Sequence, residues 1–245
     1  PDISLQDLSS CKPENIQACL KKIKEDERRK GFDITKDNLS RFILVKESEE
    51  AYYVIWTFHH IILDGWSLGI LINDFFKTYS QLKTGVKVRM DGTASCADYI
   101  KWIEKIDKKS ALEFWKTYLD GFSGKSLSEL GDSKRNDFLY KEKVFKIDES
   151  LAKEIEGYSM KYGITKNIFF MTAWGIFLQK FGCSRDVVFG TVVAGRPAAV
   201  KDISKMVGLF INTIPIRLKS NGGETFCQKA LQLKNGFIEC DSMSY

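Results

Sequence analysis

The sequence predicts an α/β protein in two lobes, and three observations carry that prediction. Apolar residues recur with strand-like and helix-like spacing in alternation along the chain. The pattern then stops in a stretch dominated by Gly, Ser, Asp and Lys between Gly121 and Asp137, and resumes beyond it. Lobes are therefore expected at residues 1–130 and 131–245, divided within that linker. At 245 residues the chain exceeds the usual size of one domain, and its 44% hydrophobic and 13% aromatic content supplies a core.

The first element is a helix from Pro13 to Lys30, where Ile16, Leu20 and Ile23 are helically spaced, Pro13 suits a first turn and Gly31 follows the end. Its charge run from Lys21 to Lys30 mixes acids with bases and reads as a solvated face. Arg41–Val45 and Ala51–Phe58, joined by the polar turn 46–50, read as a β-hairpin. The second arm delivers His59 and His60, the only histidines of the chain; were the strand to persist through them, they would point to opposite faces, with His59 toward the core. After a turn at Asp64-Gly65, the residues Leu68, Leu71, Ile72, Phe75, Tyr79 and Leu82 trace one helix face, with Ser67 as the expected N-cap. A single further helix is expected from Cys96 to Leu119, its Tyr99, Trp102 and Trp115 serving the core.

Past the linker, a strand is expected at Lys143–Ile147 and a helix capped by Asp148 and ended by Gly163. Thr165 caps the next helix, whose run Ile168–Leu178 is apolar nearly all round and so expected to be buried on several sides. Asp186–Val193 reads as a strand central to a sheet, ending in the abrupt turn Ala194-Gly195-Arg196-Pro197. Val207–Arg217 reads as another strand, with Asn212 and Thr213 inside its apolar run.

The formal charge of +5 comes from intermixed acids and bases making up 28% of the chain, which argues against a nucleic-acid partner. The longest apolar stretch, Ile168–Leu178, falls short of the roughly 20 residues of a membrane span, so no membrane partner is expected. Six cysteines are an even number, but Cys11, Cys19, Cys96, Cys183, Cys227 and Cys240 form no C-x-x-C pair and have no histidine near them. Reduced thiols and a cytoplasmic location are the expectation. The chain opens at Pro1 rather than Met, so its first residue is not expected to be a natural start.

The paired histidines mark a candidate active site. An imidazole, titrating near pH 6.5, can take a proton from a nucleophile within hydrogen-bond reach, and His60 is assigned that part. Asp64 could orient the imidazole or pair with an arginine to hold the turn. Gly65 would let a backbone N–H approach a developing oxyanion. Other readings of the local pattern stay open: a histidine pair satisfied within the core, or zinc ligation by H-H-x-x-x-D, although no helix places those three on one face. Nucleophilic serine chemistry lacks a G-x-S-x-G elbow.

The stretch His59-His60-Ile61-Ile62-Leu63-Asp64-Gly65-Trp66-Ser67 resembles the H-H-x-x-x-D-G motif of condensation domains of nonribosomal peptide synthetases, and more distantly chloramphenicol acetyltransferase. Gly31–Ile34 with Arg41–Leu44, Ala97–Trp102, Val192–Pro197 and Val207–Arg217 resemble further motifs of that family in the same order. The early R-H-x-x-L-R motif is absent, so the chain resembles a middle segment of such a domain. The resemblance implies two chloramphenicol acetyltransferase-like lobes with mixed sheets flanked by helices, both incomplete, so that exposed sheet edges could promote homo-oligomers. It implies an amide-forming acyltransferase with no metal and no covalently bound cofactor. Donor and acceptor peptidyl carrier domains would deliver substrates on phosphopantetheine arms, beside an adenylation domain. His60 would be the key residue, Asp64 chiefly structural with Arg196 as its ion-pair partner, and His59, Gly65, Trp66 and Asn212 would line or support a substrate tunnel. The Gly208–Pro215 stretch resembles the subclass taking a donor that ends in a D-residue. An epimerisation domain and a non-catalytic carrier-binding module are the alternatives.

Overall fold

The computed structural model describes residues 1–88, 94–124 and 142–245, which form two compact units. One comprises Pro1–Tyr99 with Arg196–Phe210, the other Ile100–Gly195 with Ile211–Tyr245. The boundary expected at residue 130 lies outside the described residues.

In the first unit, β1 (Asp2–Asp7), α1 (Pro13–Lys30), β2 (Ser40–Lys46) and β3 (Tyr52–Phe58) build a mixed sheet in the order β1-β2-β3. β1 and β2 run parallel, so α1 is the crossover that joins them, while β2 and β3 form the expected hairpin, paired from Ser40↔Phe58 to Lys46↔Tyr52. Residues of β2 alternate between buried and half-buried. Ile43 and Val45 thereby meet Ile16 and Leu20 of α1 and Ile55 of β3 in a small core. Arg41 shares the buried side of β2 because its charge is matched: Nε donates to Glu27 Oε2 at 2.8 Å, Nη1 donates to the Gly31 carbonyl at 2.9 Å, and the guanidinium lies 3.9 Å from the Phe32 ring centre. Next comes α2 (Gly65–Lys83), of which only Ser67 is fully buried; Ile72, Phe75, Phe76, Tyr79 and Leu82 are exposed.

The single helix expected over 96–119 is two, α3 (Cys96–Glu104) and α4 (Lys108–Leu119). The break falls at Asp107, whose carboxylate accepts from the Lys109 and Ser110 N–H groups and so starts a new helix rather than continuing the old one.

The second unit holds α4, α5 (Glu149–Lys161), α6 (Lys166–Phe181), β4 (Asp186–Val193), β5 (Asn212–Lys219) and α7 (Phe226–Ser242). Asp148 and Thr165 cap α5 and α6 as expected, each accepting from the N–H three residues on. Four other expectations are corrected. Lys143–Ile147 is no strand, because among the described residues none runs beside it, and Val144 and Phe145 stay exposed. β4 is not central: among the described residues it pairs with β5 alone, antiparallel from Asp186↔Lys219 to Val193↔Asn212. The last strand begins at Asn212, not Val207. Finally, α6 buries Ile168, Met171, Thr172, Gly175 and Leu178 on one side and exposes Phe170, Trp174, Phe177 and Phe181 on the other.

Gly175 sets how closely α6 lies on the ribbon. A Cβ there would stand 2.7 Å from Leu218 Cδ2 and 3.3 Å from Phe189 Cε1, so only glycine permits the approach. α7 completes this core with Ala230, Leu233 and Cys240. Arg217 ties α4 to the ribbon: Nε and Nη2 donate to the two carboxylate oxygens of Asp186, and Nη1 donates to the Tyr118 and Asp120 carbonyls. No helix among the described residues is long and apolar enough to cross a membrane.

Candidate active site

The double histidine lies on the turn between β3 and α2. β3 ends at Phe58, so strand alternation does not distinguish the two imidazoles; the turn itself does. The His59 N–H donates to the Leu39 carbonyl at 3.0 Å, and its Nδ1 accepts from the Ile61 N–H at 3.1 Å. Its ring also meets Phe32 edge-on, with centres 6.2 Å apart, leaving His59 half-buried and held. His60 is exposed.

What fixes this turn is the residue at its end. Asp64 is 1% exposed and caps α2, with Oδ1 accepting from the Ser67 N–H at 2.8 Å. Asp64, rather than Ser67, is therefore the N-cap: the carboxylate one residue before Gly65 reaches the N–H of the first turn, and Ser67 falls inside the helix. Oδ2 accepts from the Phe210 N–H at 3.0 Å, and the Asp64 N–H donates to the Gly208 carbonyl at 3.1 Å.

Arg196 closes the arrangement. Its Nη2 lies 3.2 Å from Asp64 Oδ1 and 3.4 Å from Oδ2, with the arginine side chain 4% exposed. Nη1 donates to the Ile203 and Met206 carbonyls at 2.6 and 2.9 Å, and the guanidinium sits 4.1 Å from the Phe210 ring centre. Ser67 fills the remaining corner: its hydroxyl donates to the Gly208 carbonyl at 2.8 Å and accepts from the Gly208 N–H and Arg196 Nη2 at 3.0 Å each, which uses every bond a hydroxyl can make. Burial pushes the Asp64 carboxyl upward, but Ser67, the Phe210 N–H and the Arg196 charge outweigh it and hold the group below the usual carboxylate range.

Trp66 is exposed, yet its indole N–H donates to the Ser204 carbonyl at 2.9 Å. Gly65 opens α2, and a Cβ there would meet nothing within 4 Å. Asn212 belongs to the other unit, where its amide donates to the Ser244 carbonyl and its oxygen accepts from the Thr213 N–H. Among the described residues no three His, Cys, Asp or Glu side chains are placed to hold a metal.

Sequence reasoning missed two members of this network. The sequence alone marks Ser67 as a cap and Gly208 as part of a motif. A Cβ at Gly208 would stand 3.0 Å from both Cys96 Sγ and the Phe210 ring, so any side chain there would have to push these neighbours aside. No local spacing marks Ser67 for this part, because its hydroxyl's partners Gly208 and Arg196 lie more than a hundred positions away.

The mixed α/β scaffold that carries this turn is shared with solved structures. The first condensation domain of the calcium-dependent antibiotic synthetase matches with a TM-score of 0.77 at 17% identity, over 99% of this chain and 55% of that one. The epimerization domain from the third module of tyrocidine synthetase B matches at 0.76 and 18% identity, over 100% of this chain and 56% of that one. These likenesses establish the fold as that of chloramphenicol acetyltransferase-like condensation domains.

The chain belongs to the condensation-domain family, whose sequence model, "Condensation domain", matches residues 2–242. It is 36% identical to bacitracin synthase 3 of Bacillus licheniformis over 227 residues, which is 92% of this chain and 4% of that protein. It is 34% identical to surfactin synthase subunit 3 of Bacillus subtilis (strain 168), over 93% of this chain and 18% of that protein. The chain thus spans a small part of these relatives and about half the length of the solved structures it matches.

Proposed function

We propose that this chain is part of an amide-forming condensation domain of a nonribosomal peptide synthetase, with His60 at the reacting centre. The observation that carries the reading is the unequal pair: His59 is held by the turn's own backbone, while His60 stands exposed on a turn locked by the Asp64–Arg196 pair. A positioned group on a rigid support is what proton transfer requires. The acceptor amine attacks the carbonyl of the donor thioester; the C–N bond forms, the C–S bond breaks, and His60 passes the amine's proton toward the departing thiolate. Asp64 braces the turn, since both its oxygens are engaged by Ser67, Phe210 and Arg196. Gly65 and Trp66 support the substrate path. Donor and acceptor arrive on the phosphopantetheine arms of peptidyl carrier domains, with an adenylation domain alongside, in the cytoplasm. Residues 1–130 and 131–245 contribute to the two lobes.

The test is single-turnover condensation by the complete module carrying this segment, with both carriers loaded. His60→Ala is expected to abolish dipeptidyl product while carrier binding, followed by calorimetry, is retained. Product formation at the wild-type rate would sink the catalytic reading and leave a carrier-binding module. Exchange of the donor α-proton into deuterated water without amide formation would instead assign an epimerisation domain.

A further inference from the structure

We infer that Cys11 and Cys19 form a thiol–disulfide exchange site in the first unit, one that takes small disulfides of the glutathione class and closes to an intrachain disulfide. The two Sγ atoms lie 3.9 Å apart, in van der Waals contact, and among the described residues no other two thiols touch. The contact is built by the fold. The Cys11 N–H donates to the Leu8 carbonyl at 2.8 Å, which turns the chain out of β1, and Pro13 starts α1 two residues later. Cys19 sits on the second turn of α1 and comes round to meet it. Forming the S–S bond requires the sulfurs to close from contact to the covalent distance of about 2.05 Å, a movement within reach of side-chain rotation.

The two thiols are not equivalent. Cys19 lines a cavity of about 310 Å³ together with Gln6, Leu8, Lys22, Asp26 and Glu27, so a small disulfide can reach its sulfur, with the Lys22 ammonium available to a carboxylate of the reagent. Cys11 is absent from that lining and packs against the Ile16–Leu20 core, and burial pushes its thiol up. This sets the order of events. The Cys19 thiolate attacks one sulfur of the small disulfide, giving a mixed disulfide and releasing one thiolate, which takes the proton lost by Cys19. Cys11 then attacks the Cys19 sulfur, releasing the second thiolate, which takes the proton of Cys11. Two protein thiols are oxidised to one disulfide, and one small disulfide is reduced to two thiols.

The folded chain is incubated with oxidised glutathione, quenched with N-ethylmaleimide and cleaved after Glu14, which separates the two cysteines. The expected result is a peptide pair joined through Cys11 and Cys19, with loss of two of the six thiols to this one link. Exposed Cys183, which touches no other cysteine among the described residues, is expected to stop at the mixed disulfide. Cys11→Ser should trap glutathione on Cys19, and Cys19→Ser should leave Cys11 unmodified. In urea the preference for the 11–19 link should vanish. A stable mixed disulfide at Cys19 of the wild-type chain, or an 11–19 link no more abundant in the folded than the unfolded chain, would overturn the assignment. Both outcomes are read on the wild-type sequence, so they do not depend on the variants folding.

Discussion

At the scale of single residues, the exposed His60 and the buried groups that hold its turn differ in what their removal should cost. Asp64 and Arg196 are both buried, so removing one leaves the other as an uncompensated charge. Asp64→Ala is expected to lower stability by about 3–5 kcal/mol in urea unfolding. A double-mutant cycle with Arg196→Met should recover part of that loss, because the remaining buried charge is then gone. The pH dependence follows from the direction of the Asp64 shift. Its carboxyl is held down in the folded chain, so the unfolded chain binds the proton more readily. The contribution of Asp64 is therefore present above about pH 4, the ordinary range of an aspartate, and fades as pH falls through the lower folded value. Wild type is expected to lose stability across that acid window more steeply than Asp64→Asn, measured as the urea midpoint against pH. His60 behaves oppositely: exposed as it is, His60→Ala should leave thermal stability within about 0.5 kcal/mol. The sequence made the importance of this stretch legible through His59, His60 and Asp64. The role of Ser67 was hidden because its partners, Gly208 and Arg196, are more than a hundred positions away, and local spacing carries no record of such a contact.

At the scale of elements, helices whose caps and periodicity are local were read closely: α1, α5 and α6 begin where Pro13, Asp148 and Thr165 predicted. Elements defined by their neighbours were not. The short strand β1 exists through its parallel pairing with β2, and Lys143–Ile147 stays irregular because among the described residues no strand lies beside it. The capping box of α7, Thr225 with Gln228, is a local T-x-x-Q signal of the same kind as the caps of α5 and α6. The seat of α6 on β5 provides a direct test. Gly175→Ala must displace Leu218, a fully buried residue, and is expected to cost about 1–3 kcal/mol, whereas alanine at an ordinary helix glycine would be stabilising. A gain in melting temperature would contradict the close approach described for this helix.

At the scale of the whole molecule, the α/β class, the mixed sheet and the family were legible because they rest on repeated patterns and an ordered set of motifs. Less legible was how much apolar surface the folded chain leaves uncovered: Phe75, Phe76 and Leu82 on α2, and Trp174, Phe177 and Phe181 on α6, are all at least 44% exposed. Patches of this kind mark contact surfaces. The isolated chain is expected to enhance the fluorescence of a hydrophobic dye and to elute at a concentration-dependent size, consistent with homo-oligomers; a dye-silent, strictly monomeric chain would refute this. The bracing of the histidine turn also has a cost in time. Asp64 waits for Phe210, 146 residues further along the chain, before its carboxylate is satisfied. At a ribosome adding 5–20 residues per second, the turn emerges roughly 7–30 s before its brace exists. During synthesis this protein thus carries a finished hairpin and a histidine turn whose brace has still to be made.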